Sequence, residues 1–99
     1  MASPVRSGFV PYDPTWLVEL ARRQHPGRPW LAEALARCTH AREESRAYLR
    51  FVEADAPGGS GSAWQFETTL RLEHPREGTL VLDILRGERV GGVEYLSRL

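Results

Sequence analysis

The sequence of 99 residues contains no lysine and no asparagine, and its only isoleucine is Ile84. Lysine, asparagine and isoleucine have AT-rich codons, so their scarcity indicates a GC-rich bacterial genome. Arginine therefore supplies the whole of the basic charge, and its 13 residues are balanced by 13 acidic ones. A chain without net charge is not expected to bind nucleic acid through bulk charge.

Disulfides, signal sequences and membrane spans are also missing from the pattern. A single cysteine, Cys38, excludes an internal disulfide and is typical of a reducing compartment. The first residues, MASPVRSGFVPYDP, lack the apolar stretch of a signal peptide. No apolar run approaches the roughly 20 residues of a membrane span. We therefore expect a cytoplasmic protein without membrane contact.

Motifs for catalysis or metal binding are absent as well. The HExxH and CxxC patterns do not occur, and a phosphate-binding P-loop is excluded because it needs a lysine. Cys38 and His40 are two positions apart, so on a helix they would point about 200° away from each other. His25 and His74 each precede a proline and show no ligand spacing. The sequence predicts no catalytic residue, no metal and no cofactor, which weighs against an enzyme.

Two helices are predicted in the first half of the chain. Residues 1–12 read as an extended arm, and residues 13–99 form a single α+β domain. The first helix covers about 13–25, since Asp13-Pro14 suits a helix start and Pro26 suits its end. The second covers about 29–43. Its apolar positions recur with helical spacing, at Leu31, Ala34, Leu35, Cys38 and Ala41.

From Ser45 the apolar period changes to two, which indicates strands. Four are predicted, at about 45–53, 64–73, 79–86 and 89–96, with a Gly/Ser-rich loop over 54–63. Two helices and four strands satisfy the rule that a sheet buries one face against a second layer. The predicted fold is α+β, with both N-terminal helices packed on one face of a four-stranded antiparallel meander sheet.

The stretch LVLDILRGERVGGVEYL, residues 80–96, reads as the last hairpin. A two-residue turn at Gly87-Glu88, with glycine first, would set its register. Gly91-Gly92 then interrupts the last strand, either as a bulge or as a notch on the outer face for the side chain of a partner. The predicted pairs are Arg86 with Arg89, Leu85 with Val90, Ile84 with Gly91, Asp83 with Gly92, Leu82 with Val93, and Leu80 with Tyr95.

The sheet face away from the helices is the predicted binding face. A solvated sheet face is usually polar, whereas this one is expected to carry the apolar residues Val52, Val81, Leu85, Val90 and Leu96. An alternative is that Phe9, Val10 and Tyr12 of the arm fold over that face and cover it. The predicted contact residues are Tyr48, Arg50, Arg71, Asp83, Leu85, Gly92, Glu94 and Leu96.

Two classes of function follow from these features. The first is a small non-catalytic protein-interaction domain, such as an immunity protein or an antitoxin that blocks an enzyme. Its partner is another protein or a second copy of the chain, and nucleic acid is not expected. The alternative is a homodimeric ligand-binding or enzymatic domain with a pocket between helices and sheet. That pocket would be lined by Trp16, Trp30, Trp64 and His40.

Overall fold

The computed structural model describes residues 8–53, 59 and 61–99, so residues 1–7 of the predicted arm and most of the predicted loop 54–63 lie outside the described residues. It confirms an α+β fold, with two helices and an antiparallel sheet of six strands rather than four. The elements are β1 (Val10–Pro11), α1 (Thr15–Gln24), α2 (Pro29–Ala36), β2 (His40–Ser45), β3 (Tyr48–Arg50), β4 (Phe66–His74), β5 (Gly78–Leu85), β6 (Arg89–Tyr95) and a final 3-10 helix (Leu96–Arg98).

The second helix is shorter than predicted. The prediction extends too far because the helical spacing of apolar residues continues by coincidence into a strand. α2 ends at Ala36, and Cys38 and Ala41 are nevertheless buried. Ala41 reaches the interior from β2, where it pairs with Val10 of β1. The spacing of Cys38 and Ala41 predicts a helix because both are apolar, but burial alone does not distinguish a helix from a strand.

The predicted strand 45–53 is also divided. β2 and β3 form a hairpin in which Ser45 pairs with Tyr48, so only two residues make the turn. The Ser45 hydroxyl accepts a hydrogen bond from the Ala47 N–H at 3.2 Å, which stabilises that turn. The arm adds β1 at the edge of the sheet beside β2. Phe9 lies against Arg42, which pairs with Arg50, so it reaches the outer face at this edge, whereas Tyr12 packs against the core.

The sheet order is β1-β2-β3-β6-β5-β4, and all pairs are antiparallel. β4, β5 and β6 form the expected meander, but β3 pairs with β6, so the sheet as a whole is not a meander. α1 contacts β4 and α2 contacts β6, and both helices pack against each other. The core contains residues from both helices and from the alternating positions Leu80, Leu82 and Ile84 of β5.

The last hairpin combines a loop of odd length with a bulge. Its outer register is as predicted, from Leu80 with Tyr95 to Asp83 with Gly92. Closer to the turn Ile84 pairs with Val90 and Leu85 with Arg89, which leaves the three loop residues 86–88 instead of two. The predicted pairs of Arg86, Leu85 and Ile84 are therefore wrong.

Gly91 is the extra residue of this bulge. A three-residue loop shifts the pairing by one position, and the bulge at Gly91 restores it. As a result Val90 faces the core rather than the outer face on which it was predicted. The bulge interpretation of the glycine pair is confirmed.

A second bulge lies opposite, in β4. Phe66 pairs with Leu85 and Thr68 pairs with Ile84, so Glu67 is unpaired. Ile84 belongs to the core cluster, whereas Leu85 and its pair Phe66 lie on the other face. Regular alternation along this strand would put Trp64 and Phe66 on the core side, and one inserted residue moves them to the other face.

The loop of this hairpin holds Glu88 in an unfavourable backbone conformation, which gives a testable prediction. Its φ is +56°, in the left-handed region, which costs an L-residue about 1–2 kcal/mol. Glycine avoids that strain, but its greater conformational entropy in the unfolded chain lowers the free energy of unfolding by about 0.5–1 kcal/mol. We expect Glu88→Gly to raise the free energy of unfolding by about 0.5 kcal/mol in urea denaturation. Arg86→Gly, in the same loop without a positive φ, should lower it, and equal effects of the two changes would contradict this account.

Candidate protein-binding face

The outer face is the side of the sheet opposite the two helices. Strand pairing brings together most of the residues that the sequence predicted for it. Tyr48 pairs with Glu94, Arg50 pairs with Gly92, and Gly92 also pairs with Asp83. Arg71 pairs with Val81, two positions along β5 from Asp83. These residues therefore form one patch across β3, β6, β5 and β4.

Gly92 makes room for Tyr48, which crosses it to reach β5. The Tyr48 hydroxyl donates a hydrogen bond of 2.7 Å to Asp83 Oδ2. A Cβ on residue 92 would overlap that hydroxyl and would lie 2.7 Å from the Leu49 carbonyl oxygen. Tyr48 therefore fills the space above Gly92, so the predicted notch for the side chain of a partner is not open.

The environment of Tyr48 holds its hydroxyl in the protonated state. Burial raises the pKa of Tyr48 far above its ordinary value, and the hydrogen bond to Asp83 raises it further. The phenol is consequently a fixed hydrogen-bond donor at neutral pH. The Tyr48 hydroxyl donates its proton to the hydrogen bond with Asp83, so this bond orients the Tyr48 ring. The arrangement does not favour Tyr48 as a general acid or base.

Arg50 links the patch to Trp64, which lies near the turn of the β5–β6 hairpin. Its guanidinium carbon lies 4.7 Å from the centre of the Trp64 ring, a cation–π contact. Arg50 Nε also lies 3.4 Å from Glu44 Oε2, and that nitrogen is buried without a hydrogen bond among the described residues. Glu44 pairs with Arg42 as well. The Arg50 side chain is only 18% exposed, so it is held between Glu44 and Trp64.

Trp64 covers the bulge. A Cβ on residue 91 would lie 2.6 Å from Trp64 Cζ3 and 3.1 Å from Leu85 Cδ1, so the absence of a side chain at Gly91 leaves the space that the indole occupies. The segment that carries Trp64 is tied to the hairpin at two points. The Arg86 N–H donates to the Gln65 carbonyl at 2.8 Å, and Arg89 Nη2 donates to the Ala63 carbonyl at 2.7 Å.

The apolar surface predicted for the outer face is largely absent, because most of its residues are buried or lie elsewhere. Leu85 is fully buried rather than exposed. Val90 faces the core, and Val52 lines a depression on the helix side together with Cys38. Leu96 is half-buried in the 3-10 helix. Of the apolar residues predicted for the outer face, Val81 alone lies within the polar patch, where it pairs with Arg71 and Glu94.

Sequence reasoning did not predict Phe66 or Trp64 on this face, and it assigned Trp64 to the alternative pocket instead. Phe66 is 53% exposed, and it is one of three exposed large apolar residues in the described part of the chain, with Val10 and Leu99. The bulge at Glu67 places it there, and no turn residue in the sequence marks that bulge. The Gly91-Gly92 pair is the signal that could have located Trp64, since the paired glycines leave space for a large side chain.

The structure does not bring together the four residues predicted to line the alternative pocket. Trp16 packs beside Tyr95 on the helix side, with 6.4 Å between ring centres, and Trp30 packs against the core from the first turn of α2. Trp64 is on the opposite face, and His40 is exposed on β2. Because these residues lie in separate places, they do not line one cavity.

Cys38 is a structural thiol. It is buried, and its Sγ donates to the Ala34 carbonyl at 3.4 Å. Burial raises the pKa of Cys38 to about 12, so the thiolate needed for nucleophilic attack does not form at neutral pH. The depression beside it measures about 120 Å³, below the roughly 300–1,000 Å³ of ligand pockets.

Within residues 8–53, 59 and 61–99, no three His, Cys, Asp or Glu side chains lie close enough together to hold a metal ion. In the same part of the chain no helix has the length and apolar character needed to cross a membrane.

Comparisons with known proteins give no family. No family model, no curated protein and no solved structure matches this chain.

The space at Gly92 gives a prediction about stability. We expect Gly92→Ala to lower the free energy of unfolding by about 1–3 kcal/mol, because the new methyl group displaces Tyr48 and meets the Leu49 carbonyl. Gly27→Ala is the control, since no atom lies within 4 Å of its added Cβ. Urea denaturation of both variants makes the comparison. A Gly92→Ala protein as stable as Gly27→Ala would contradict the proposed packing.

Because the chain contains no lysine, its one cysteine and three tyrosines are the side chains that lose a proton in the alkaline range. Burial raises the pKa of Cys38 and of Tyr95 to about 12, and the pKa values of Tyr12 and Tyr48 are also raised. A group with a raised pKa in the folded state gives its full stabilisation below its unfolded pKa, here about 9 for the thiol and 10 for the phenols. That stabilisation is lost as the pH rises towards the folded pKa.

We therefore expect the free energy of unfolding to fall from about pH 9 upward, by at most about 1.4 kcal/mol per pH unit for each group. Urea denaturation at a series of alkaline pH values measures it. Cys38→Ala should remove the earliest part of the fall, because the thiol has the lowest unfolded pKa of the four groups. Constant stability through about pH 11 would contradict the burial of these groups.

Proposed function

We propose that this chain is a non-catalytic protein-binding domain whose outer face contacts a different protein. The contact is centred on Phe66 and the neighbouring Trp64–Arg50 pair, with Tyr48, Arg71, Asp83 and Glu94 around it. The depression near Cys38 and the separated tryptophans do not support the alternative of a ligand pocket.

The exposure of Phe66 is the observation that supports this proposal most. Burying a phenylalanine side chain stabilises a fold by about 1.5–3 kcal/mol. In the regular alternation of the sequence Phe66 would face the core, yet the bulge at Glu67 turns it to the outer face, where it is 53% exposed. Bulges often re-aim a side chain for a contact. Burial of the Phe66 ring by a partner would recover the energy that folding leaves unused.

Other side chains of the outer face suit such a contact. Aromatic residues and arginine contribute most of the binding energy in protein interfaces. Trp64 and Arg50 are stacked on each other, and Tyr48 is held by Asp83. Side chains that are already ordered lose little conformational entropy on binding, so more of the contact energy appears as affinity.

The role that we propose for this contact is steric blocking of a partner enzyme, as in an immunity protein or an antitoxin. The codon-biased composition and the single cysteine support a bacterial cytoplasm as the setting. The partner need not be acidic or basic overall, because the chain has no net charge.

A capture experiment with matched variants tests the proposal. Tagged wild type, Phe66→Asp and Leu99→Asp are used as bait in a nuclease-treated native lysate, and captured proteins are identified by mass spectrometry. Phe66 and Leu99 are both exposed, at 53% and 79%, so neither change should unfold the chain. We expect one protein to be captured in equal molar amount by wild type and by Leu99→Asp, and to be lost with Phe66→Asp.

Two results would contradict the proposal. One is the same protein captured equally by Phe66→Asp. The other is capture that is lost with Leu99→Asp instead, since Leu99 lies at the C-terminus beyond the 3-10 helix and not on the outer face. Circular dichroism of each variant controls for folding.

A further inference from the structure

The outer edge of β4 is open along part of its length. β4 is the last strand of the sheet order and runs for nine residues. Its C-terminal part is covered by the end of α1. The Gln24 side-chain amide donates to the Glu73 carbonyl and accepts from the Glu73 N–H, each at 2.7 Å, as a neighbouring strand would. His25 Nε2 lies 2.8 Å from the Arg71 carbonyl oxygen.

These contacts show which backbone groups point away from β5. In an antiparallel strand, alternate residues direct both their N–H and C=O to the same side. Glu73 and the Arg71 carbonyl point outward, so the Arg71 N–H and both groups of Thr69 point outward too. No hydrogen bond between described residues engages these three groups. Residues 66–69 are also exposed, so the open stretch can be reached by another strand.

We propose that two copies of this chain pair through this stretch, antiparallel, about a two-fold axis at Thr69. Thr69 of each copy would then exchange two backbone hydrogen bonds with Thr69 of the other. The two sheets become one, which is a common way to satisfy an open strand edge. This inference does not rest on the outer-face contact proposed above, although Arg71 takes part in both.

Charge complementarity selects a second copy as the occupant. With Thr69 on the axis, Glu67 of one copy, the extra residue of the β4 bulge, comes beside Arg71 of the other, and the symmetry makes this pair twice. Both side chains are exposed, and neither forms an ion pair among the described residues. Opposite charges at facing positions stabilise a strand pair, whereas like charges destabilise it.

Neighbouring registers are worse. An axis at Leu70 puts Glu67 opposite Glu73, a like-charge pair, and Glu73 is already bonded to Gln24. An axis at Arg71 puts two arginines opposite each other. An axis at Thr68 puts Arg71 opposite Gln65, whose carbonyl already accepts the Arg86 N–H. The Thr69 register avoids all three conflicts.

Charge reversal tests the register directly. Sedimentation velocity measures the dimer of wild type, Glu67→Arg, Arg71→Glu and the double variant over a wide range of protein concentration. We expect each single reversal to weaken the dimer by at least about tenfold in Kd, and the double variant to restore it. A mixture of the two single variants should form a heterodimer, because each facing pair is then again of opposite charge.

A backbone test complements the charges. Thr69→Pro removes the N–H at the axis, and this N–H points away from β5, so the fold keeps its strand ladder. Thr69→Val keeps the N–H and is the matched control. We expect Thr69→Pro to remain folded by circular dichroism and to be monomeric, while Thr69→Val dimerises like wild type.

Three results would overturn the proposal. Wild type that stays monomeric at the highest concentration removes the dimer altogether. A dimer that the single reversals leave unchanged, or that fails to re-form in the mixture, removes this register. A dimer that tolerates Thr69→Pro shows that another surface holds the copies together, and the outer face would then be the next surface to test.

Discussion

The outer face depends on one constraint, which is that β6 must carry two glycines in a row where its neighbours need space on the same side. Gly91 lies under the Trp64 indole and Gly92 lies under the Tyr48 ring. Any Cβ at either position would approach those rings closer than 3 Å. The aromatic side chains, in turn, hold Arg50 and Asp83 in place. The arrangement of the face therefore follows from what β6 omits.

The same glycines connect the face to the core. Gly91 takes up the shift that the three-residue loop introduces, so Leu82 still pairs with Val93 and Leu80 with Tyr95. These residues are almost completely buried, and slipping by one position would turn each of them to solvent. A change that abolished the bulge would have to alter the loop, the core register or the position of Trp64. Packing on the two sides of the sheet is thus coupled through one residue.

The sequence predicts this arrangement in part. Alternation along β5 and β6 predicts the outer pairs and the burial of Leu82, because the signal is repeated over several residues. The bulge at Glu67 is one residue in a strand of regular composition, and alternation cannot reveal it. The end of α2 is hidden for a related reason, since Ala41 has the correct helical spacing but is buried from a strand. The contacts of Arg50 with Glu44 and Trp64 join distant segments, which periodicity does not relate.

The open edge and the outer face are connected by geometry. A two-fold axis through an antiparallel strand pair is perpendicular to the sheet, so both copies present the same face on the same side. In the proposed dimer both helical layers would lie on one side and both outer faces on the other. Phe66 is three residues from the axis residue Thr69, so the two rings would lie about 20 Å apart at a rise of about 3.4 Å per residue. A dimeric partner could engage both rings at once, and the second contact would then benefit from a high effective concentration. Gln24 and His25 have a role in this geometry, because they close the part of β4 that would otherwise allow a different register and a different spacing of the rings.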